Sequence, residues 1–196
     1  MSFFRKFKKN NSNTFRINNP KNDSDAIFSL SSAYITLETK LALKSTGRCA
    51  LSVKSINGTY FTEMKNDIQR FLDISKTDFE LTYRTVTDSY GYFWLIIEGK
   101  NMESILAGIA AVGDTIEERG FSSQLLAAIF EFNSREKNNN QYLIYNYKNN
   151  KFYPFVPLGQ KTRNTEDEMT IMAVIADEVP FQRDMTLWYP LWDLPL

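Results

Sequence analysis

Phe79-Glu-Leu-Thr-Tyr-Arg-Thr-Val-Thr-Asp-Ser-Tyr-Gly-Tyr-Phe-Trp-Leu-Ile-Ile-Glu98 reads as two strands in direct succession, with no helix between them. Phe79, Leu81 and Tyr83 alternate with Glu80, Thr82 and Arg84, the two-residue period of a strand with one buried face. Asp88-Ser89 turns the chain, since short polar side chains hydrogen-bond to the nearby backbone. From Tyr90 to Glu98 both faces carry large apolar groups, Tyr92, Trp94 and Ile96 against Phe93, Leu95 and Ile97. Such a strand is expected to be buried on both sides and central in its sheet.

A helix flanks this pair on either side. Upstream, Phe61, Met64, Ile68, Phe71 and Leu72 fall on one face of a helix, after the turn dipeptide Asn57-Gly58 and a strand Cys49-Ala-Leu-Ser-Val53. Downstream, Asn101 is placed to cap a helix with the stripe Ile105, Leu106, Ile109, Val112 and Ile116; Gly120 follows its end, and Leu125 to Phe132 is the next strand. The order strand, helix, strand, strand, helix, strand is that of a ferredoxin-like split βαβ core. A hairpin extends it, Tyr142–Tyr147 and Lys151–Phe155 around Asn149-Asn150, with Pro154 placing the last strand at an edge. Thr165-x-x-Glu168 has the form of a capping box opening a last helix with Met169, Met172, Ala173 and Ala176, which stops before Pro180. Ser31 to Leu43 reads equally as helix or strand. The expected fold class is α+β: residues 25–196 as one domain, an antiparallel or mixed sheet with helices on one face, a ferredoxin-like core, and a C-terminal hairpin and helix.

A chain of 196 residues, 43% hydrophobic and 14% aromatic, supports one well-filled core. Lys+Arg and Asp+Glu balance at 23 each, yet Arg5, Lys6, Lys8, Lys9, Arg16 and Lys21 all precede the first acid, Asp23. Residues 1–24 therefore form a basic arm, rich in asparagine and expected to be a flexible linker, on a mildly acidic body. The chain has no histidine, which removes the commonest general base and metal ligand and makes Ser-His-Asp, Cys-His and HExxH chemistry impossible. Cys49 is the sole cysteine, so an intrachain disulfide and a thiolate zinc cluster are excluded and a reducing compartment fits. No GxxxxGK[ST], GxGxxG or CxxC stretch is present, so no cofactor, metal or catalytic residue is assigned. No apolar run approaches the ~20 residues of a membrane span, and the start lacks the apolar core of a signal peptide.

The carboxylates that remain, Glu117-Glu118 and Glu166-Asp167-Glu168, are expected at helix ends in solvent, the second group complementing a helix dipole. Cys49, within an apolar strand pattern, reads as a small buried hydrophobe. Two elements suggest binding. In the tip, Phe3, Phe4 and Phe7 share one helical face while Arg5, Lys6, Lys8 and Lys9 spread over the rest, a pattern suited to reversible contact with an anionic membrane surface. At the other end, Trp188, Tyr189 and Trp192 are candidates for a partner surface, with core closure across the sheet as the alternative. Tyr90 to Trp94 resembles a base-stacking platform, but no basic patch accompanies it and no nucleic-acid partner is expected.

Several segments, in order, resemble the PspA-associated protein PspAB family of bacteria and archaea. They are Ile27-Phe-Ser-Leu30 with Ala33-Tyr-Ile-Thr-Leu-Glu38, then Asp88-Ser-Tyr-Gly-Tyr-x-Trp94, Thr115-x-Glu117-Glu118-x-Gly120-Phe121, Gln124-Leu-Leu126, Phe152-Tyr-Pro-Phe155 and Leu187-Trp-Tyr-Pro-Leu-Trp192. The resemblance implies a cytoplasmic accessory protein of the phage-shock type envelope-stress response, an adaptor or regulator rather than an enzyme. Its implied partner is PspA or a related envelope-stress protein, at the inner face of the membrane if the tip engages lipid. Two other readings stay open: a stand-alone lipid-binding module at the membrane surface, and an enzyme that works with carboxylates alone.

Overall fold

A computed structural model describes residues 23–134 and 139–196. Within them the chain forms α1 (Asp23–Phe28), α2 (Leu30–Leu41), β1 (Leu43–Lys54), α3 (Thr59–Phe79), β2 (Leu81–Thr87), β3 (Tyr92–Gly99), α4 (Met102–Glu118), β4 (Leu125–Ser134), β5 (Asn139–Asn146), β6 (Lys151–Phe155), β7 (Pro157–Gly159), β8 (Thr162–Arg163) and α5 (Thr165–Ile175). Helix α1 includes Ser24, which is buried and whose hydroxyl donates to Asp114 Oδ1 at 2.6 Å.

The stretch 31–43, legible as either helix or strand, is helical up to Leu41: Leu30, Ala33 and Leu37 face inward at i, i+3 and i+7. Helix α3 buries Phe61, Met64, Ile68 and Leu72 as expected, but it runs on to Phe79 and ends at Glu80, whose left-handed φ of 51° closes it. The period-two pattern therefore begins at Leu81 rather than Phe79. Asn101 caps α4, its Oδ1 accepting from the Ser104 amide at 2.8 Å, and Gly120 takes the left-handed position beyond its end with φ +81°.

The sheet has six strands in the order β2-β3-β1-β4-β5-β6, every pairing antiparallel. The β2-β3-β1-β4 portion, with α3 and α4 as its two crossovers, is the ferredoxin-like arrangement. β5 and β6 continue it beyond β4, so the centre of the sheet shifts to β1 and β4, and β3 is interior without being central. The helices form one layer: α4 packs on β1 and β3, α3 on α4 and β2, α2 on α4 and β1, and α5 on α2 and β6. Against this layer lie Phe93, Leu95 and Ile97, paired with Val53, Leu51 and Cys49, and beyond them Ala128 and Phe130.

The opposite face is also apolar. Trp94, Ile96, Ala50, Ile129, Ile144, Tyr153 and Phe155 lie along it and are all buried. The C-terminal segment reaches this face from the β6 side, with the Trp192 ring edge-on to Phe155 at 5.1 Å and the Tyr189 carbonyl accepting from Tyr153 OH at 3.0 Å. Farther along it reaches β2, where Arg84 donates to the Pro195 carbonyl. The outer edge of β6 is closed by main-chain bonds, Phe152 N to Pro180 O at 2.7 Å and Gln182 N to Phe152 O at 2.8 Å, which removes an open template for strand addition.

Candidate functional site

Residues Phe3, Phe4, Arg5, Lys6, Phe7, Lys8 and Lys9 lie outside the described residues. In the tail, Trp188 is 3% exposed: its indole N–H donates to Gln182 O at 2.7 Å and its ring meets Phe181 edge-on. Trp192 is half-buried on Phe155, whereas Tyr189 is 53% exposed, so it is the one of the three whose side chain stands largely in solvent. The Tyr90 to Trp94 run does not form a flat platform, because Phe93 and Trp94 are buried on opposite faces of the sheet and Tyr90 is on the turn. Asp88 organises that turn. Its carboxylate accepts from the amides of Tyr90 and Tyr92 at 2.9 Å and from the Trp94 indole at 2.8 Å. Burial opposes the charge, yet these donors hold the Asp88 carboxyl below its ordinary range.

The acids are not all at solvated helix ends. Glu118 and Glu166 are exposed, but Asp167 and Glu168 are buried. Glu168 makes no capping box; Asn164 caps α5 instead, accepting from Asp167 N at 3.2 Å. Glu168 turns inward, taking the Arg163 Nε–H on both oxygens at 2.9 Å and the Val156 amide at 2.9 Å. Arg163 also donates to the carbonyls of Trp188 at 2.8 Å and Pro154 at 3.3 Å, fastening the tail to β6. Burial raises the Glu168 carboxyl pKa, against the pull of these donors. A second buried acid, Glu131 on β4, was hidden in the alternation of Phe130-Glu-Phe132, where a polar residue reads as facing water. It accepts from Arg48 Nη2 at 2.6 Å, Thr46 Oγ1 at 2.7 Å and Asn140 Nδ2 at 3.0 Å. Cys49 is fully buried, and burial pushes its thiol far from the reactive thiolate.

The remaining acidic cluster is less well neutralised. Asp114 and Glu117, one turn apart on α4, meet Asp23 from α1. Tyr145 OH donates to Asp23. Burial, followed by the neighbouring Asp23 carboxylate and the charge of Asp114, pushes the Glu117 carboxyl from 4.5 up to about 7. Tyr147 lies beside them, 9% exposed, its hydroxyl without a hydrogen-bond partner and raised in pKa by burial and then by Asp23, Glu117 and Asp114. A cavity of about 290 Å³ opens here, lined by Asp23, Glu117, Ser122, Ser123, Tyr147 and Lys148. Glu117 reads as solvated from its neighbour Glu118; the signal that separates the two is Asp114-x-x-Glu117, which places Glu117 one turn beyond Asp114 beside the buried stripe.

Because the folded state holds a proton on Glu117 that the unfolded chain releases, its contribution to stability is complete below pH 4.5 and is lost as pH rises through about 7. Glu117→Gln should flatten that part of the profile of Tm against pH, measured by circular dichroism; an unchanged slope would contradict the raised pKa of Glu117.

Among the described residues no group of three or more His, Cys, Asp or Glu is arranged to hold a metal ion, and no helix is long and apolar enough to cross a membrane. No curated protein and no solved structure matches the chain. The family model for PspA associated protein B matches residues 1–196. The chain belongs to the PspA associated protein B family.

Proposed function

We propose that this chain is a non-catalytic adaptor or regulator of the phage-shock type envelope-stress response that docks on PspA at the cytoplasmic face of the membrane. The family match over residues 1–196, whose description names association with PspA, carries this reading. The chemistry of the chain supports it. Histidine is absent, the thiol is buried, and Glu131 and Glu168 are committed to the internal donors Arg48 and Arg163. The basic tip, residues 1–9, supplies cations for an anionic leaflet while the folded body binds the protein partner. One observation favours the alternative of a carboxylate-dependent enzyme: Asp23 and Glu117 line one cavity, and burial pushes the Glu117 carboxyl up to about 7.

Tagged full-length chain should recover PspA from envelope-stressed cells, and anionic vesicles should increase the recovery only when residues 1–9 are present. Absence of PspA from the crosslinked and uncrosslinked eluates would overturn the adaptor reading.

A further inference from the structure

We propose that the outer edge of β2 is a self-association surface: two copies of this chain pair Arg84–Asp88 with Arg84–Asp88, antiparallel about a twofold axis at Val86, so that one sheet runs through the dimer. The inference does not depend on PspA being the partner.

The two edges of the sheet differ. β6 is sealed by main-chain bonds with Pro180 and Gln182, whereas among the described residues no main-chain group bonds to the outer side of β2. The pairing with β3 identifies what lies open there. Asp88 N donates to Tyr92 O at 3.0 Å, and the register from Leu81↔Gly99 to Thr87↔Phe93 runs without a shift. Hydrogen-bonded and non-bonded pairs alternate along an antiparallel ladder, so Thr82, Arg84, Val86 and Asp88 bond to β3. The N–H and C=O groups of Leu81, Tyr83, Thr85 and Thr87 therefore point away from it. Two usual guards of an open edge are missing, since Leu81–Thr87 holds neither a proline nor a bulge.

Charge complementarity selects a second copy as the occupant. Arg84-Thr-Val-Thr-Asp88 matches its own reverse: antiparallel pairing about Val86 sets Arg84 opposite Asp88, Thr85 opposite Thr87 and Val86 opposite itself. Thr85 and Thr87 are the residues whose main-chain groups face outward, so each Thr85–Thr87 pair exchanges both main-chain bonds. Arg84 and Asp88 then fall in non-bonded pairs, where side chains stand closer and opposite charges stabilise. Both have capacity to spare. Arg84 is exposed and donates one N–H to the Pro195 carbonyl, while Asp88 Oδ2 accepts from the Trp94 indole alone. Centring the pair on Arg84 would set two guanidinium groups face to face, and centring it on Thr85 would move Arg84 from Asp88 to Val86. The Val86 register also carries Tyr90, 81% exposed, toward Thr82 of the second copy, which gives its ring a surface to cover.

Light scattering of the full-length chain, from low to high micromolar concentration, should show a reversible shift from the 22.8 kDa chain to twice that mass. Added salt should move the equilibrium toward monomer, and Arg84→Glu, which opposes Asp88 with a like charge, should weaken the dimer at least tenfold. Thr85→Pro deletes one outward N–H and spares the bonds between β2 and β3, so it should abolish the dimer with the circular dichroism unchanged. Amide exchange should slow with concentration at Thr85 and Thr87 and stay constant at Arg84 and Val86. With Cys49 buried, Val86→Cys supplies the one surface thiol, and mild oxidation should join two chains across the axis, because Cα atoms ~4.5 Å apart in a non-bonded pair are within disulfide reach. The proposal is overturned if the mass stays that of one chain throughout the range, or if the dimer survives both Arg84→Glu and Thr85→Pro. Protection of the Thr85 and Thr87 amides only when PspA is added would equally overturn it, assigning the edge to a strand of the partner.

Discussion

Arg163→Met is expected to lower the unfolding free energy at pH 8 by about 3–5 kcal/mol, the usual cost of stranding a buried charge by removing its partner. Glu168 is 1% exposed, and the guanidinium is its charged partner. The same guanidinium donates to Trp188 O and Pro154 O, so its loss also frees the start of the tail from β6. The deficit should grow with pH. Without Arg163 the buried carboxyl is driven further toward its neutral form, and a group with a raised folded-state pKa stabilises at low pH and loses that contribution as pH rises. Arg163→Met combined with Glu168→Leu should recover part of the loss, since no charge is then stranded, but not all of it, because the Val156 amide loses its acceptor. Urea unfolding at pH 5.5 and 8 measures all three chains. A single-variant loss below ~1 kcal/mol at pH 8 would show that the pair is not holding the tail.

Trp188→Ala should cost about 3–5 kcal/mol, the range for truncating a large buried aromatic side chain. The indole is packed edge-on against Phe181, and its N–H satisfies Gln182 O at 2.7 Å, so the variant leaves both a void and an unpaired buried carbonyl. Trp188 also stands where the chain leaves β6 for the second face of the sheet. Its removal should therefore raise amide exchange at Tyr153 and Phe155 more than at Ile97 or Leu51, which face the helix layer. Tyr189→Ala, which removes a 53% exposed ring and leaves its carbonyl bonded to Tyr153, is the matched control and should change stability little. Equal losses for the two variants would contradict the tail's role as a cover.

Much of this architecture was legible because its patterns are long. Both α4, with five apolar positions on one stripe, and the β2–β3 pair, with its switch from one-sided to two-sided burial, are periodic enough to read without context. The ferredoxin-like order follows from them. Ambiguity arose where the pattern was short. Ala33-Tyr-Ile-Thr-Leu37 mixes β-branched and apolar residues, and packing against α4 and α5 decides for helix. Phe79 fitted the alternation of β2, yet helix α3 continues through it, which no local pattern announces.

The buried charges were least legible, since their partners are fixed by the fold. Glu168 matched a capping box to the letter, and only the approach of β8 brings Arg163 to it. Glu131 meets Arg48 across 83 residues, and Asp23 meets Tyr145 across 122. The aromatic tail was readable as either partner surface or cover because composition alone does not distinguish an exposed indole from a buried one; the second apolar face of the sheet does. The Asp88 to Trp94 motif gains a physical explanation, with one carboxylate organising the turn and orienting the indole.

The central claim is that this chain acts by binding PspA. Its most direct measurement is a titration of purified full-length chain with purified PspA, followed by light scattering or calorimetry in the presence and absence of anionic vesicles. The account predicts saturable, stoichiometric association that persists in Glu117→Ala, a substitution that removes the most enzyme-like carboxylate. No association at protein concentrations well above those in the cell, with vesicles present, would contradict it.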